Sequence, residues 1–266
     1  MVLAYRNQAT SRVLAVLTAF SGRNEARGVS EIARQLGMNK NMVHRALTTL
    51  AAHGYIARDG SGERYQLGLR LLALGGVASE SDIVTLARPT LEQLQALTGE
   101  SVYLSIIVGR NRVTVDEILA LGPRVLRSNR GYPVPLHCTK MSRLLLAHLR
   151  DSEIRRYLKA AQPLARRSRF PDPASETADA VWEDIYAIRA TPYLLWRNPY
   201  LARAAYAIFP IRDEQGRPHA IITVGGPLER FDLPRIEALA PAMRAILEPL
   251  EREARLIPAP PFRAEG

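Results

Sequence analysis

Residues 30–67 most constrain what this chain can fold into, because they combine two short helical patterns with a glycine-rich hairpin pattern. Ser30 is expected to cap a helix over residues 31–36, since its hydroxyl can accept a free backbone N–H at the helix start. Gly37 then permits the positive φ angle that a tight turn after a helix requires. A second helix from about Asn39 and a hairpin around residues 59–62 complete the pattern of a winged helix-turn-helix.

The second helix of this pattern has one apolar face and one polar, basic face. Its apolar positions recur at helical spacing and are expected to be buried: Val43, Ala46, Leu47 and Leu50. The opposite face carries groups of the kind that bind phosphates and base edges: Lys40, Asn41, His44, Arg45 and Thr48. No Asp or Glu lies between Glu31 and Asp59, so no carboxylate there repels a polyanion. We therefore predict that this face binds double-stranded DNA; for an isolated helix, the alternative is an ordinary solvated face.

The length and charge of the chain fit a two-domain, DNA-binding protein. The 266 residues suit one small domain and one of about 180 residues, each with its own core. Because no apolar run approaches the ~18 residues of a membrane span and no signal peptide is evident, we expect a cytoplasmic protein without a membrane partner. The net charge is +10, and residues 1–80 hold ten Lys and Arg against five Asp and Glu. Half of the basic excess therefore lies in less than a third of the chain.

The segments that flank the winged pattern predict two further helices. Apolar residues recur at helical spacing from Ser11 to Phe20, and Arg12 near the start of this helix can contact a phosphate, with a plain surface arginine as the alternative. After the hairpin, the leucine-rich residues 69–88 predict a linker helix, which is a natural dimer contact because DNA-binding proteins of this type bind paired half-sites. Pro89 is expected to occupy the first turn of the next helix.

The rest of the chain alternates strand and helix patterns. Strands are expected at 101–108, 112–119 and 124–128, and a strong hairpin is expected around residues 213–216. Helices are expected at 139–149, 151–160, 176–189 and from Pro234 to about Arg255. This mixture predicts an α+β sensor domain, in which helices cover an antiparallel sheet. The predicted domains are residues 1–68 (winged helix-turn-helix), 69–88 (linker helix), 89–257 (sensor domain) and 258–266 (flexible tail).

Residue pairs that suggest catalysis or metal binding do not form a convincing site. His137 and Cys138 are expected to lie in a strand, where adjacent side chains point to opposite faces and cannot form a nucleophile–base pair. The single cysteine excludes an internal disulfide, and the five histidines show no zinc-ligand spacing. A metal bound by His137 and His148 is the alternative. We expect no enzyme activity, no catalytic residues, no metal and no cofactor.

The chain resembles the IclR-type transcription regulators over nearly its whole length. The segments RVLAVLTAF, SEIARQLGMNKNMVHRALTTLAAHGYIAR and RYQLGLRLLALG match the order and spacing of that family's DNA-binding region and linker. LHCTKMSRLLLA and YAIFPIRDEQGRPHAIITVGGP resemble its sensor signatures. The resemblance implies a GAF-like α/β sensor domain, a homodimer or homotetramer, control of a catabolic operon, and a small carboxylate effector, commonly a keto acid or an aromatic acid. Asn41 and Met42 stand where the family often has Ser and Thr.

The resemblance also implies which residues line the effector site: Thr139, Lys140, Met141, Trp196, Tyr206, Thr223 and Gly225. Members that bind keto acids tend to carry an acidic residue, a cysteine and serines, whereas this chain has a lysine, two aromatic residues and a threonine. A buried ammonium favours an anion, and aromatic rings supply flat apolar walls. We therefore expect an aromatic carboxylate, with Lys140 and Thr223 at the carboxylate and Trp196 and Tyr206 at the ring.

Several alternatives stay open on these residues. Trp196 and Tyr206 could be core residues while Lys140 points to solvent, and the effector could be an aliphatic keto acid. A non-specific nucleic-acid-binding protein, or an enzyme with an accessory DNA-binding domain, would use the same basic helix. Repression and activation are both compatible with the sequence, because the outcome depends on where the operator lies.

Overall fold

The computed structural model describes residues 7–21, 25–79, 82–126, 128, 130–162, 164, 177–198, 203–257, 259 and 262. The chain divides into two compact units, Met1–Ser81 and Asp82–Gly266, each with its own hydrophobic core. Within the described ranges, no helix combines the length and the apolar character that crossing a membrane requires.

The N-terminal unit is the predicted winged helix-turn-helix. Its elements are α1 (Gln8–Thr18), α2 (Val29–Leu36), α3 (Lys40–Ala52), β1 (Ile56–Arg58), β2 (Tyr65–Leu67) and α4 (Leu69–Ser79). The strands β1 and β2 pair antiparallel, with Ile56 opposite Leu67. Val16 of α1, Ile32 of α2 and Leu47 of α3 are fully buried in the core that the three helices share. The apolar spacing that predicted the inner face of α3 is therefore confirmed.

Helix α2 begins earlier than the sequence predicted, and Ser30 does not cap it. The N-cap is Gly28, whose carbonyl accepts from the Ile32 amide at 3.2 Å. The reason lies outside the helix: Arg27 and Tyr65 exchange backbone hydrogen bonds of 2.7 and 2.9 Å, so the chain stays extended up to Gly28. Gly37 ends α2 with a φ of +63°, as predicted.

The C-terminal unit is an α+β domain built on a six-stranded antiparallel sheet. The helices are α5 (Asp82–Thr98), α6 (Lys140–Ala147), α7 (Asp151–Ala160), α8 (Ala178–Arg189) and α9 (Leu233–Arg255). The strands are β3 (Ser101–Val108), β4 (Asn111–Ile118), β5 (Val134–Pro135), β6 (Leu194–Asn198), β7 (Ala204–Arg212) and β8 (Pro218–Pro227). Their order across the sheet is β5-β4-β3-β8-β7-β6. The hairpin predicted around residues 213–216 is confirmed as β7–β8, and the strands predicted at 101–108 and 112–119 pair antiparallel as β3 and β4.

The two faces of this sheet pack against different helices. Leu104, Ile222 and Val224 face a core that includes Leu91 of α5 and Met243 of α9. The opposite face, which we call the α6 face, packs under α6, α7 and α8. Residues that pair across the strands lie on the same face, and the strand register assigns these residues to the α6 face: Arg112, Thr114, Tyr103, Ser105, Ile221, Thr223, Gly225, Tyr206, Ile208 and Trp196.

The predicted linker helix at 69–88 is divided between two helices, α4 and α5, and α5 belongs to the C-terminal unit. Pro89 does not open a new helix but lies inside α5. A proline keeps a helical φ and removes one backbone donor. That loss is tolerated here because Ala87, Leu91 and Leu94 are fully buried around it.

One other expectation for the C-terminal unit is wrong. Residues 124–126 and 128 are not a strand; Arg124 has a φ of +57°, and Arg230 donates to the Pro123 and Arg124 carbonyls at 3.1 and 3.4 Å. The sheet instead ends at β5. The predicted flexible tail lies outside the described residues except for two that pack on the domain: the Ala259 amide donates to Asp213, and Phe262 lies 6.1 Å from the Tyr157 ring.

Candidate functional site

The outer face of α3 carries the predicted DNA-binding side chains, and all of them are exposed: Lys40, Asn41, His44, Arg45 and Thr48. The Lys40 and Arg45 side chains make no hydrogen bond or ion pair to the residues that the structure describes. The Thr48 hydroxyl donates to the His44 carbonyl at 2.9 Å, which leaves its lone pairs open. The face therefore offers two unneutralised charges beside an amide and an imidazole.

The N-terminal end of α3 is fixed by its own side-chain cap. The Asn39 carboxamide oxygen accepts from the Asn41 amide at 2.8 Å, which satisfies one of the free N–H groups at the helix start. Helix N-termini carry partial positive charge and bind phosphates readily. Arg12 is separate from this face: it lies on α1, is exposed, and donates to Gln8 at 3.4 Å.

The wing, which is the hairpin of β1 and β2, carries an exposed arginine, Arg58, that was not among the residues predicted from the sequence. Arg58 on β1 donates to the Gly62 carbonyl and lies 5.1 Å from the Tyr65 ring centroid. Arg64, by contrast, is used within the unit, because it donates to the Ala26 carbonyl at 2.8 Å and pairs with Glu31 at 3.2 Å. The Arg27 hydrogen bond lowers the pKa of Glu31. Arg58 could have been predicted from the sequence as a further DNA-binding residue, because it lies beside the predicted glycine-rich turn.

In the C-terminal unit, four predicted effector residues lie side by side on the α6 face. Trp196 and Tyr206 are cross-strand partners whose rings stack with centroids 5.7 Å apart. Tyr206 lies opposite Gly225 on β8, and Thr223 is two residues earlier on the same strand. The Thr223 Oγ1 atom is buried and has no hydrogen-bond partner among the described residues. A buried hydroxyl without a partner is uncommon and destabilising, so it marks a position where a ligand atom would be stabilised.

The other three predicted residues stand at the start of α6, above that face. The Thr139 hydroxyl caps the helix by accepting from the Ser142 amide at 3.1 Å. Met141 packs against the core under α6. The Lys140 ammonium does not point into this core: it pairs with Asp184 of α8 at 3.5 Å and its side chain is 34% exposed.

A second basic side chain, Arg112 on β4, lies on the same face and was missed by the sequence reasoning. Its Nε donates to the Ser142 hydroxyl at 3.1 Å, and its Nη1 donates to Ser105 at 3.0 Å and Thr114 at 3.1 Å. Burial raises the pKa of the Tyr206 hydroxyl to about 12, and the nearby Arg112 cation opposes that rise. The period-two alternation of Arg112 and Thr114 with valines could have revealed both residues.

His137 and Cys138 do come together, contrary to the prediction, because they lie in a turn after β5 and not in a strand. Cys138 Sγ is 3.6 Å from His137 Nε2, and His137 Nδ1 is 2.8 Å from the Tyr157 hydroxyl. Cys138 is buried, with 2% exposure. No cluster of three or more His, Cys, Asp or Glu side chains suited to a metal occurs in the described part of the chain.

Comparisons with known proteins agree with this two-unit arrangement. Residues 9–60 match the model of the IclR helix-turn-helix domain, and residues 75–251 match that of the bacterial transcriptional regulator IclR C-terminal domain. The chain therefore belongs to the IclR family of bacterial transcriptional regulators.

Relatives with names and structures support the same class. The chain is 32% identical to the HTH-type transcriptional regulator BhcR of Paracoccus denitrificans over 81% of this chain and 76% of that protein. It is 30% identical to XynR of Escherichia coli over 85% of this chain and 88% of that protein. An IclR homologue from Microbacterium hydrocarbonoxydans, crystallised with 4-hydroxybenzoate, shares the fold with a TM-score of 0.69 at 24% identity, over 94% of this chain and all of that one. The named relatives are transcription regulators and not enzymes.

Proposed function

We propose that this protein binds a specific operator through the outer face of α3 and releases or rearranges on it when a small carboxylate occupies the α6 face. The operator would belong to a catabolic operon, in the cytoplasm. The observation that supports DNA binding most directly is the exposed face of Lys40, Asn41, His44, Arg45 and Thr48, which no acidic residue interrupts. A ligand acts only to the extent that it binds the two DNA-related states with different affinity.

An aromatic acid suits the α6 face better than an aliphatic keto acid. The stacked rings of Trp196 and Tyr206 provide an apolar wall, and Gly225 leaves the Tyr206 ring room to lie against the sheet. A compact keto acid would leave most of that wall uncovered. The Microbacterium homologue, which was crystallised with 4-hydroxybenzoate, makes this acid a reasonable first probe; pyruvate serves as the aliphatic comparison.

The first test is fluorescence anisotropy on DNA from upstream of the protein's own gene, with a scrambled duplex for comparison, at near-physiological salt. Specific binding predicts a preference of about 10³-fold or more. Arg45→Ala should weaken operator binding by about 1–3 kcal/mol if Arg45 contacts a base. Equal weakening on both duplexes would mean that Arg45 contacts only phosphate.

The matched control is Arg156→Ala, which removes the same charge from an exposed position of α7. It should leave both affinities unchanged, so that a loss in Arg45→Ala cannot be ascribed to net charge. Equal binding of the wild type to operator and scrambled DNA would favour the non-specific alternative. No binding to either duplex at low salt would contradict the proposal.

A further inference from the structure

Among the described residues, the partly buried Arg112 cation donates hydrogen bonds only to neutral groups. Its hydrogen bonds go to three hydroxyls, those of Ser105, Thr114 and Ser142, at 3.0 to 3.1 Å. These bonds use Nε and Nη1. Nη2 makes no hydrogen bond to the residues that the structure describes, and its two N–H groups can therefore serve a ligand.

The carboxylates nearest in sequence are engaged elsewhere. Asp116 lies beyond a register shift between β3 and β4 and is held by Arg88 of α5 at 3.1 Å. Glu117 accepts from the Ser128 hydroxyl at 2.6 Å. Within the described ranges, no acidic side chain forms an ion pair with Arg112. Burial lowers the pKa of the guanidinium to about 10, so it is still charged at neutral pH.

A buried charge without an opposite charge is unfavourable, and proteins rarely keep one that has no use. Here the cost would be removed by an anion. A carboxylate is a good fit, because its charged oxygens accept strong hydrogen bonds from guanidinium N–H groups such as those of Nη2. The uncompensated charge therefore favours an anionic ligand at this position.

The groups around Arg112 match the rest of an aromatic acid. Thr223 lies on the same face of the sheet, on β8, which is next to β3. Its Oγ1 atom is fully buried and has no hydrogen-bond partner among the described residues. Adjacent strands are about 4.8 Å apart, and Arg112 already reaches across to β3 at Ser105. Beyond Thr223 come Tyr206 and Trp196, whose stacked rings continue the surface.

We infer that Arg112 binds the effector carboxylate on the α6 face, with Ser142 and Thr223 as hydroxyl partners and Tyr206 and Trp196 against the aromatic ring. The inference rests on the proposed function, since it names the residue that gives the effector site its preference for an anion. It transfers that role from Lys140, whose ammonium pairs with Asp184 at 3.5 Å.

The test compares an acid with its neutral amide. Isothermal titration of the full-length protein with 4-hydroxybenzoate and with 4-hydroxybenzamide should show the acid binding at least tenfold more tightly. Benzoate and pyruvate extend the series. Arg112→Met should weaken acid binding about 10- to 100-fold, the range expected when a charged hydrogen bond is lost, and bring it to the affinity of the amide. Arg112→Lys, which keeps the charge, should bind the acid with intermediate affinity.

A structural role for Arg112 would give a different pattern. Since an uncompensated buried charge is removed, ligand-free Arg112→Met should unfold at the same temperature as the wild type or higher. If Arg112 instead holds the hydroxyl network together, the same substitution should lower the unfolding temperature. Arg155→Met is the control, because Arg155 is 71% exposed on α7, and it should keep the preference for the acid. Unchanged acid binding by Arg112→Met, or no preference for the acid in the wild type, would overturn the inference.

Operator binding separates this inference from the proposed function. If the acid binds in an Arg112-dependent manner but leaves operator affinity unchanged, the assignment of Arg112 stands and ligand gating fails. If the acid shifts operator affinity equally in Arg112→Met and in the wild type, gating stands and the assignment of Arg112 is wrong.

Discussion

The position of the Tyr206 ring depends on the absence of a side chain at Gly225. A Cβ atom added at Gly225 would lie 2.6 Å from Cδ1 and Cε1 of Tyr206 and 3.4 Å from the Tyr103 ring. The first distance is far below van der Waals contact, so the ring would have to move. Because Tyr206 stacks on Trp196, a displaced Tyr206 would also disturb the wall of the proposed effector site.

We therefore expect Gly225→Ala to destabilise the C-terminal unit by about 1–3 kcal/mol, as is typical when a group is forced into a packed core. The same change should weaken 4-hydroxybenzoate binding, since the ring wall moves. Urea denaturation measures the first effect and titration calorimetry the second.

A double-mutant cycle identifies the cause. In a Tyr206→Leu background the ring atoms that crowd the new Cβ are gone, so Gly225→Ala should cost clearly less than in the wild type. Equal costs in both backgrounds would mean that the alanine acts through the backbone of β8 and not through the Tyr206 ring.

For individual residues, the sequence predicted which side chains share a face of the sheet, but not which charged side chains form ion pairs. Trp196, Tyr206 and Thr223 lie together because strand alternation and register follow from local patterns. Whether a cation is available to an anion depends on residues from other elements. Lys140 of α6 pairs with Asp184 of α8, whereas Arg112 of β4 contacts the neutral Ser142 of α6. Such contacts over 30 or more residues leave no periodic signal in the chain.

Among the elements, α3 has the most to do with the proposed DNA contact, and its start depends on Asn39. The Asn39 side chain accepts from the Asn41 amide. Without that acceptor, the first turn of α3 would lose a hydrogen bond, just where Lys40 and Asn41 are presented to solvent.

Asn39→Ala should therefore lower the stability of the N-terminal unit by about 1 kcal/mol, which for a domain of this size is about 4–8 °C in Tm. Thermal denaturation followed by circular dichroism measures it. Asn39→Ser is the matched variant, because serine also caps helices, and it should retain most of the stability. A loss as large in Asn39→Ser as in Asn39→Ala would exclude capping as the cause.

Elements whose limits are set by local turn chemistry were predicted well, and those set by distant contacts were not. Gly37 and the hairpin turns at Gly109 and Gly216 all have positive φ angles, which the glycines allow. The start of α2 instead depends on the pairing of Arg27 with Tyr65, and Pro89 is accommodated by the core around α5. Neither contact can be read from neighbouring residues.

For the whole molecule, we expect the exposed leucines of α4 to form a contact between copies of the chain. Leu69 and Leu72 are 83% and 74% exposed, and Leu74 is also exposed. Three exposed leucines on one short helix form an apolar surface that single, scattered residues would not. A two-fold contact between copies of α4 would cover it and give the paired DNA-binding units that a symmetric operator requires.

We expect Leu72→Glu to lower the mass measured by sedimentation equilibrium to that of a smaller assembly or monomer and to weaken operator binding. Leu256→Glu is the control, since Leu256 is 85% exposed but lies just after α9, and it should leave the mass unchanged. An unchanged mass in Leu72→Glu would place the assembly contact elsewhere.

The start of α4 has a mechanical consequence. A Cβ added at Gly68 would lie 2.2 Å from the Gly54 carbonyl oxygen, and the Gly68 amide donates to the Tyr55 carbonyl at 2.8 Å. The chain that enters α4 is thus held against the residues that follow α3. We therefore expect α4 to move together with the outer face of α3, as a rigid arm. Its 11 residues span about 16 Å. Tilting such an arm by about 12° moves its tip by about 3.4 Å, which is one base-pair step. A small rotation is therefore enough to move the α3 helices of two paired copies out of register with their half-sites.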